Sequence, residues 1–242
     1  MVSFRLEHEA RALVWEVPDG WVALGSASVG GGLTHPRWVS NLDVGDDFRR
    51  TDLAAYAAER SAGLGLAGPG TTLLTAADVR QVEHAEVEGV RCWATVGVTK
   101  PTWPVPPGGS QHGDAAPQGT RTMGEHPGPA HHGPPSPGTI NLVVAAPVPL
   151  SVSALVQAVG TITEAKAQVL VQADVPGTGT ASDAVVVLCP DPSRSDGAAE
   201  AFAGVRSVWG RRVAAAVHAT VAAGLTAHPW RPGGSGRPGV VW

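Results

Sequence analysis

The sequence predicts an α+β protein in which helices flank a mixed β-sheet. Within residues 79–98, apolar and polar side chains alternate after the turn dipeptide Glu88-Gly89, as they do in a β-hairpin. Two Val- and Leu-rich runs, 139–146 and 184–189, lack this alternation and are typical of strands covered on both faces. Three further segments space their apolar residues as helices do. Hairpin strands in the first half and helices in the second half predict the α+β class.

The N-terminal block, residues 1–100, begins with strands and continues into a helix. Turn signals at 18–20 and 30–32 separate three short β-rich runs. These predicted strands cover residues 12–17, 21–28 and 38–44. The apolar residues of 52–63 then take helical spacing, which predicts a helix before the hairpin.

The C-terminal block, residues 138–227, alternates strands and helices. We expect a strand, a helix, a strand and a long Ala- and Val-rich helix. In chain order these elements cover residues 139–146, 151–173, 184–189 and 199–225.

A segment rich in Pro, Gly and His separates the two blocks. Positions 101–138 hold ten prolines and eight glycines, together with four histidines and hardly an aliphatic residue. Such a segment cannot bury enough apolar area to offset its ordering entropy. We therefore predict one domain over residues 1–227, interrupted by a flexible insert at 101–137 and followed by a flexible tail at 228–242.

Composition excludes several classes of protein. The chain has 242 residues and a net charge of −4, which gives no electrostatic reason to expect nucleic acid or a membrane surface as a partner. The two cysteines lie far apart in the sequence, so a disulfide framework and a four-cysteine zinc site are excluded. The sequence shows no secretory signal and no long apolar run, so we expect a cytoplasmic protein. Its oligomeric state is left open.

Common catalytic motifs are missing. The sequence has no P-loop, no H-E-x-x-H and no G-x-S-x-G. Residues 234–239 match the dinucleotide pattern, but only three residues follow, so no helix can hold a pyrophosphate. Pro and Gly around the histidines of the insert hold no fixed geometry, so we assign no metal ligands.

Three polar clusters interrupt the apolar C-terminal block, each at the edge of a predicted element. They are residues 138–141, 163–166 and 178–183. Side chains at such edges can converge on a cleft. Each cluster also has a purely structural explanation, as a loop end, a solvated helix face or a turn with local side-chain hydrogen bonds.

These clusters resemble the adenosylcobinamide amidohydrolase family of corrinoid salvage enzymes. The resemblance rests on GTINLVV from Gly138, TEAK from Thr163 and PGTGTASDAVVV from Pro176. Ala181-Ser182 departs from the family pattern, as does the segment 205–208, and the insert is not part of that pattern. Further agreement lies at residues 30–32, 39–41, 44, 75–77, 203–204 and 210.

The resemblance implies hydrolysis of the amide that links the aminopropanol arm to the corrin ring of adenosylcobinamide. The products would be adenosylcobyric acid and 1-amino-2-propanol. The corrinoid substrate carries the cobalt, so no cofactor of the protein's own is expected. Two alternatives stay open: a corrinoid-binding protein without catalysis, and an unrelated amide hydrolase.

Three residues are candidates for catalysis under this reading. Glu164 is the first choice as general base, because desolvation at the edge of an apolar helix would let it act near neutral pH. Asp183 would orient other groups or transfer a proton, and Lys166 would stabilise the oxyanion or pair with a carboxylate. An exposed helix glutamate, a turn-capping aspartate and a solvent-facing lysine are the structural alternatives.

Six residues are candidates for binding the amide-fringed periphery of the corrin. Backbone N–H groups at 138–139 or 178–179 could form the oxyanion site, and Thr139, Thr180 or Ser182 could act as a nucleophile. We expect all three clusters to meet around one pocket large enough for a corrin macrocycle. The six binding candidates are Asn41, Thr139, Asn141, Thr178, Thr180 and Ser182.

Overall fold

The computed structural model describes residues 2–45, 48–105, 138–194 and 197–231, and it confirms the α+β class. The described chain forms two β-sheets and three α-helices. The strands are β1 (Ser3–Glu7), β2 (Ala12–Glu16), β3 (Trp21–Gly25), β4 (Gly32–Thr34), β5 (Trp38–Asp43), β6 (Gly70–Thr75), β7 (Glu83–Val87), β8 (Val90–Val96), β9 (Ile140–Ala145) and β10 (Ala184–Pro190). The helices are α1 (Leu53–Gly63), α2 (Val152–Gln172) and α3 (Val208–Ala227).

The strands form two sheets rather than one. The larger sheet has the order β4-β3-β10-β9-β8-β7, in which β9 and β10 are parallel and the other neighbours antiparallel. The smaller sheet has the order β1-β2-β5-β6, with β5 and β6 parallel. Local patterns in a sequence identify strands but not their partners, so the second sheet was not predicted.

The six-stranded sheet forms the middle layer of the molecule. Helices α2 and α3 cover one of its faces, and the four-stranded sheet covers the other. Along β9, Leu142 and Val144 join the helix-side core, while Val143 and Ala145 join the core between the sheets. Both faces of β9 are therefore buried, which explains why its sequence is apolar apart from Asn141. No helix of the described chain has the length and hydropathy of a membrane span.

The hairpin was predicted well, whereas the last helix begins later than expected. Glu88 and Gly89 both have positive φ angles, of 46° and 85°, as a two-residue hairpin turn requires. The predicted helix start at 199 is wrong, because α3 begins after Ser207, whose Oγ accepts the Gly210 N–H at 3.0 Å. The preceding segment is held instead by α2, where Gln157 Oε1 accepts the backbone N–H of Ala203 at 3.0 Å.

The described chain includes residues 101–105 and 228–231, which the sequence analysis assigned to the flexible insert and tail. Residues 106–137 and 232–242 lie outside the described chain, and so does the nominal dinucleotide motif. Thr102, inside the predicted insert, exchanges two backbone hydrogen bonds with 178–179, of 2.8 and 3.0 Å. Trp230, inside the predicted tail, packs against the helix-side core. Thr102 and Trp230 therefore contact other parts of the described chain, and the domain boundaries stay a prediction.

Both cysteines will resist alkylation in the native protein. Cys92 and Cys189 are free and buried, and burial raises the pKa of their thiols to about 12 and about 11. At pH 8 almost no thiolate is present to react. We expect mass spectrometry to detect no iodoacetamide adduct on the folded chain and two adducts after unfolding in guanidinium chloride. One rapid adduct on the folded chain would show that a thiol reaches solvent.

Candidate active site

The candidate site lies at the end of the six-stranded sheet where β9 and β10 begin. The two strands are parallel neighbours, and Asn141 pairs with Ala184 in their register. The residues that precede each strand therefore lie side by side, and α2 packs against β10 on the helix side. Residues from the clusters 138–141, 163–166 and 178–183 contact one another here.

Lys166 and Asp183 form a buried ion pair at the centre of this convergence. The Lys166 Nζ donates to Asp183 Oδ2 at 2.5 Å, and the two side chains are 9% and 11% exposed. Lys166 comes from the buried face of α2, and Asp183 immediately precedes β10. Removal of either partner would leave the other charge nearly buried and without a counter-charge.

The Asp183 carboxylate accepts three hydrogen bonds besides the one from Lys166. Its Oδ1 accepts the Ile140 backbone N–H at 2.9 Å and the Thr180 hydroxyl at 2.5 Å. Its Oδ2 also accepts the Thr180 backbone N–H at 3.1 Å. Four donors fill the usual acceptor positions of a carboxylate. Of the two roles considered for Asp183, orienting its neighbours fits this geometry better than accepting a proton.

A pair of hydroxyl groups joins the same two segments nearer the surface. The Oγ atoms of Thr139 and Ser182 lie 2.8 Å apart, and either can be the donor. Thr139 is buried, whereas Ser182 is exposed. This pair therefore connects the buried Thr139 hydroxyl to the exposed Ser182 hydroxyl.

Gly179 approaches the ion pair so closely that a larger residue would displace its two charged groups. A Cβ atom there would lie 2.5 Å from Asp183 Oδ2 and 2.6 Å from Lys166 Nζ. We expect Gly179→Ala to lower the free energy of unfolding by about 1–3 kcal/mol, as overpacking does. The matched control is Gly160→Ala in α2, where the Cβ meets open space and stability should rise by about 0.5–1 kcal/mol. Urea denaturation measures both, and equal changes would contradict this account of the site.

Glu164 lies outside the hydrogen-bond network around the Lys166–Asp183 pair. It is exposed on α2, while its neighbours Ala165 and Lys166 are buried. Within the described chain its carboxylate makes no hydrogen bond or ion pair. The expected desolvation of Glu164 is therefore wrong, because the helix turns this position towards water. Its role as general base stays a prediction.

Asn41 and Asn141 are buried between the two sheets. Their exposed fractions are 1% and 2%, and the Asn141 Nδ2 donates to Asn41 Oδ1 at 2.9 Å. Asn41 Nδ2 donates in turn to Thr95 Oγ1 at 3.0 Å. Neither amide faces the surface in this arrangement, so direct contact with a corrin, as the sequence analysis expected, does not fit. Thr95 was missed because a single threonine in a strand carries no local signal.

One predicted oxyanion donor is already occupied. The Thr178 backbone N–H donates to the Thr102 carbonyl at 3.0 Å, so it is unavailable to a substrate. Thr178 itself is partly exposed, and the Thr180 hydroxyl is engaged by Asp183. The hydrogen bonds of Thr102 and Thr180 therefore fix the conformation of the loop 178–183.

A cavity of about 440 Å³ adjoins the cluster at Gly138. Asp78 lies in its wall, and the guanidinium of Arg80 lowers the pKa of that carboxyl to about 2. None of the nine predicted site residues lines this cavity. Among described residues, the three clusters thus meet in a packed network and not around a corrin-sized pocket. In the same part of the chain, no three His, Cys, Asp or Glu side chains are grouped as metal ligands.

Comparison with known proteins agrees with the resemblance in the sequence. The family model described as CbiZ, adenosylcobinamide amidohydrolase, matches residues 2–232. No curated protein and no solved structure matches the chain. The matched region includes every cluster that forms the candidate site and nearly all of the 242 residues. The chain therefore belongs to the adenosylcobinamide amidohydrolase family.

Proposed function

We propose that the chain hydrolyses the amide between the aminopropanol arm and the corrin ring of adenosylcobinamide. The products are adenosylcobyric acid and 1-amino-2-propanol, and the cobalt stays in the corrinoid throughout. Membership of an amidohydrolase family supports this reaction. The observation that carries the proposal is the buried Lys166–Asp183 pair, to which all three family motifs contribute. A cytoplasmic location stays a prediction.

Lys166 is the group best suited to stabilise the transition state. Amide hydrolysis places negative charge on the carbonyl oxygen, and a fixed cation in a site of low water content stabilises that charge strongly. Asp183 holds the ammonium group in place and ties it to the backbone of Ile140 and Thr180. Asp183 is thus a positioning residue in this mechanism, and Lys166 is the electrostatic catalyst.

The proposal includes two sources of the attacking group. One is water activated by Glu164, which is exposed on α2, and the other is the exposed Ser182 hydroxyl, hydrogen-bonded to Thr139. The cavity beside Gly138 has the size of a small ligand and does not enclose a corrin macrocycle. In this proposal the macrocycle therefore binds against the surface at this end of the sheet. Ser182 and the partly exposed Thr178 can then contact the amides of the ring periphery.

The decisive experiment is turnover of adenosylcobinamide by the purified chain. We expect the corrinoid product to carry one additional acid group, detected by mass spectrometry and by its charge in ion-exchange chromatography. Unchanged substrate, together with an unfolding free energy that rises by about 2.7 kcal/mol at a ligand concentration of 100 Kd, would support the alternative of a non-catalytic corrinoid-binding protein.

Glu164→Gln tests the source of the attacking group. The assignment of Glu164 as general base predicts that kcat falls at least about 10²-fold, with little change in Tm. Gln168→Ala is the matched control, because Gln168 lies one helical turn further along the exposed face of α2. Steady-state kinetics measures both variants. A fall of less than threefold in Glu164→Gln would remove this residue from the mechanism and leave the Ser182 hydroxyl.

A further inference from the structure

A chain of buried hydrogen bonds links the two sheets directly beneath the candidate site. Asn41 belongs to β5 of the smaller sheet, whereas Thr95 and Asn141 are register partners on β8 and β9 of the larger sheet. Asn41 Nδ2 donates to Thr95 Oγ1 at 3.0 Å, and Asn141 Nδ2 donates to Asn41 Oδ1 at 2.9 Å. Asn141 Nδ2 also donates to the Leu74 carbonyl of β6 at 2.9 Å. We call the side chains of Asn41, Thr95 and Asn141 the amide link.

Stability alone does not account for the amide link. The amide link lies beside a cluster of buried apolar side chains, and buried polar groups stabilise such a layer less well than apolar side chains of the same size. Asn141 Oδ1 has no hydrogen-bond partner among the described residues, which destabilises the fold. The amide orientation is nevertheless fixed, because the two groups near Nδ2 are both carbonyl acceptors.

The amide link ends where the ion pair is held. Asn141 of β9 pairs in register with Ala184 of β10, the residue after Asp183. The preceding residue, Ile140, donates its backbone N–H to Asp183. One residue earlier, the Thr139 hydroxyl bonds Ser182. Fixing the Asn141 side chain therefore fixes the segment that supplies both contacts.

We propose that the amide link of Asn41, Thr95 and Asn141 is a positioning device for the Lys166–Asp183 pair. It holds the start of β9 so that the Ile140 N–H and the Thr139 hydroxyl meet the 182–183 loop. These residues act through the backbone and do not touch the substrate. This inference rests on the proposed function for its kinetic consequence, but its structural consequence is independent of the reaction.

Thr95→Val tests the proposal with the smallest change of shape. Valine removes the acceptor of the Asn41 amide and leaves the volume nearly unchanged. The matched control is Thr72→Val in β6, which also removes a buried hydroxyl, one that lies 3.1 Å from Ser40 Oγ and beside α1. We expect similar losses of Tm in both variants. Only Thr95→Val should lower kcat, by at least tenfold with KM within twofold, and Thr95→Ser should restore it.

Hydrogen exchange separates this proposal from the proposed function. We expect Thr95→Val to speed exchange of the Ile140 amide at least tenfold, and Thr72→Val to leave it unchanged. If the wild-type chain does not turn over adenosylcobinamide, the proposed function fails, while the Ile140 exchange rates still decide the positioning role. Equal kcat values in the two valine variants of an active chain, or an Ile140 exchange rate unaffected by Thr95→Val, would overturn the proposal.

Discussion

Asp183→Asn will lower the free energy of unfolding by about 3–5 kcal/mol, the cost of breaking a buried ion pair from one side. The asparagine oxygen can keep the Ile140 N–H and the Thr180 hydroxyl. Its NH₂ group then faces the Lys166 ammonium and the Thr180 N–H, which are donors. Lys166 would remain nearly buried without a counter-charge, and urea denaturation measures the loss.

Asp19→Asn is the control for this measurement. Like Asp183, Asp19 forms an ion pair, here with Arg37 at 3.3 Å, but the Asp19 side chain is 88% exposed. Exposed pairs of this kind contribute little to stability, so we expect no measurable change. A loss below about 1 kcal/mol in Asp183→Asn would mean that water screens the Lys166–Asp183 pair and that the site is open.

Elements with local signals were the ones the sequence predicted correctly. The hairpin turn at Glu88-Gly89 needs two positive φ angles, and α1 needs only a run of apolar residues at helical spacing. The segment before α3 is held instead by a contact between Gln157 and Ala203, which lie 46 residues apart, so the helix begins only after its N-cap residue, Ser207. No pattern within 199–207 reports that contact, so the helix was extended too far.

The candidate site was predictable to the same extent. The motifs identified Lys166 and Asp183 as residues of one site. Parallel pairing of β9 with β10 brings the segments 138–141 and 178–183 together, and packing of α2 against β10 adds Lys166. The orientation of a side chain on a helix decides the rest: Lys166 turns inward, and Glu164, two positions earlier, turns to solvent. The contribution of Thr95 depends on pairing between sheets, which only the folded chain specifies.

Lys166→Met will lower kcat by about 10²–10³-fold, the usual effect of removing one group that stabilises an oxyanion. Methionine keeps most of the length of the side chain in α2 but supplies no charge. We expect KM to change little, because the lost interaction forms mainly in the transition state. Lys100→Met is the matched control: Lys100 is exposed, and its loss should leave kcat unchanged.

Lys166→Arg distinguishes charge from geometry at the same position. Arginine keeps the positive charge, but its planar guanidinium is wider than an ammonium group. Gly179 lies so close to Lys166 Nζ that a single added methyl group there would approach it to 2.6 Å, so the site has no room for the wider group. We therefore expect Lys166→Arg to recover less than a tenth of the wild-type kcat, with folding confirmed by circular dichroism. A folded Lys166→Met variant that kept more than a tenth of the wild-type kcat would exclude Lys166 as the electrostatic catalyst. Recovery of activity by arginine would instead show that a positive charge is sufficient. The close packing of Gly179 against the ion pair would then have no part in catalysis.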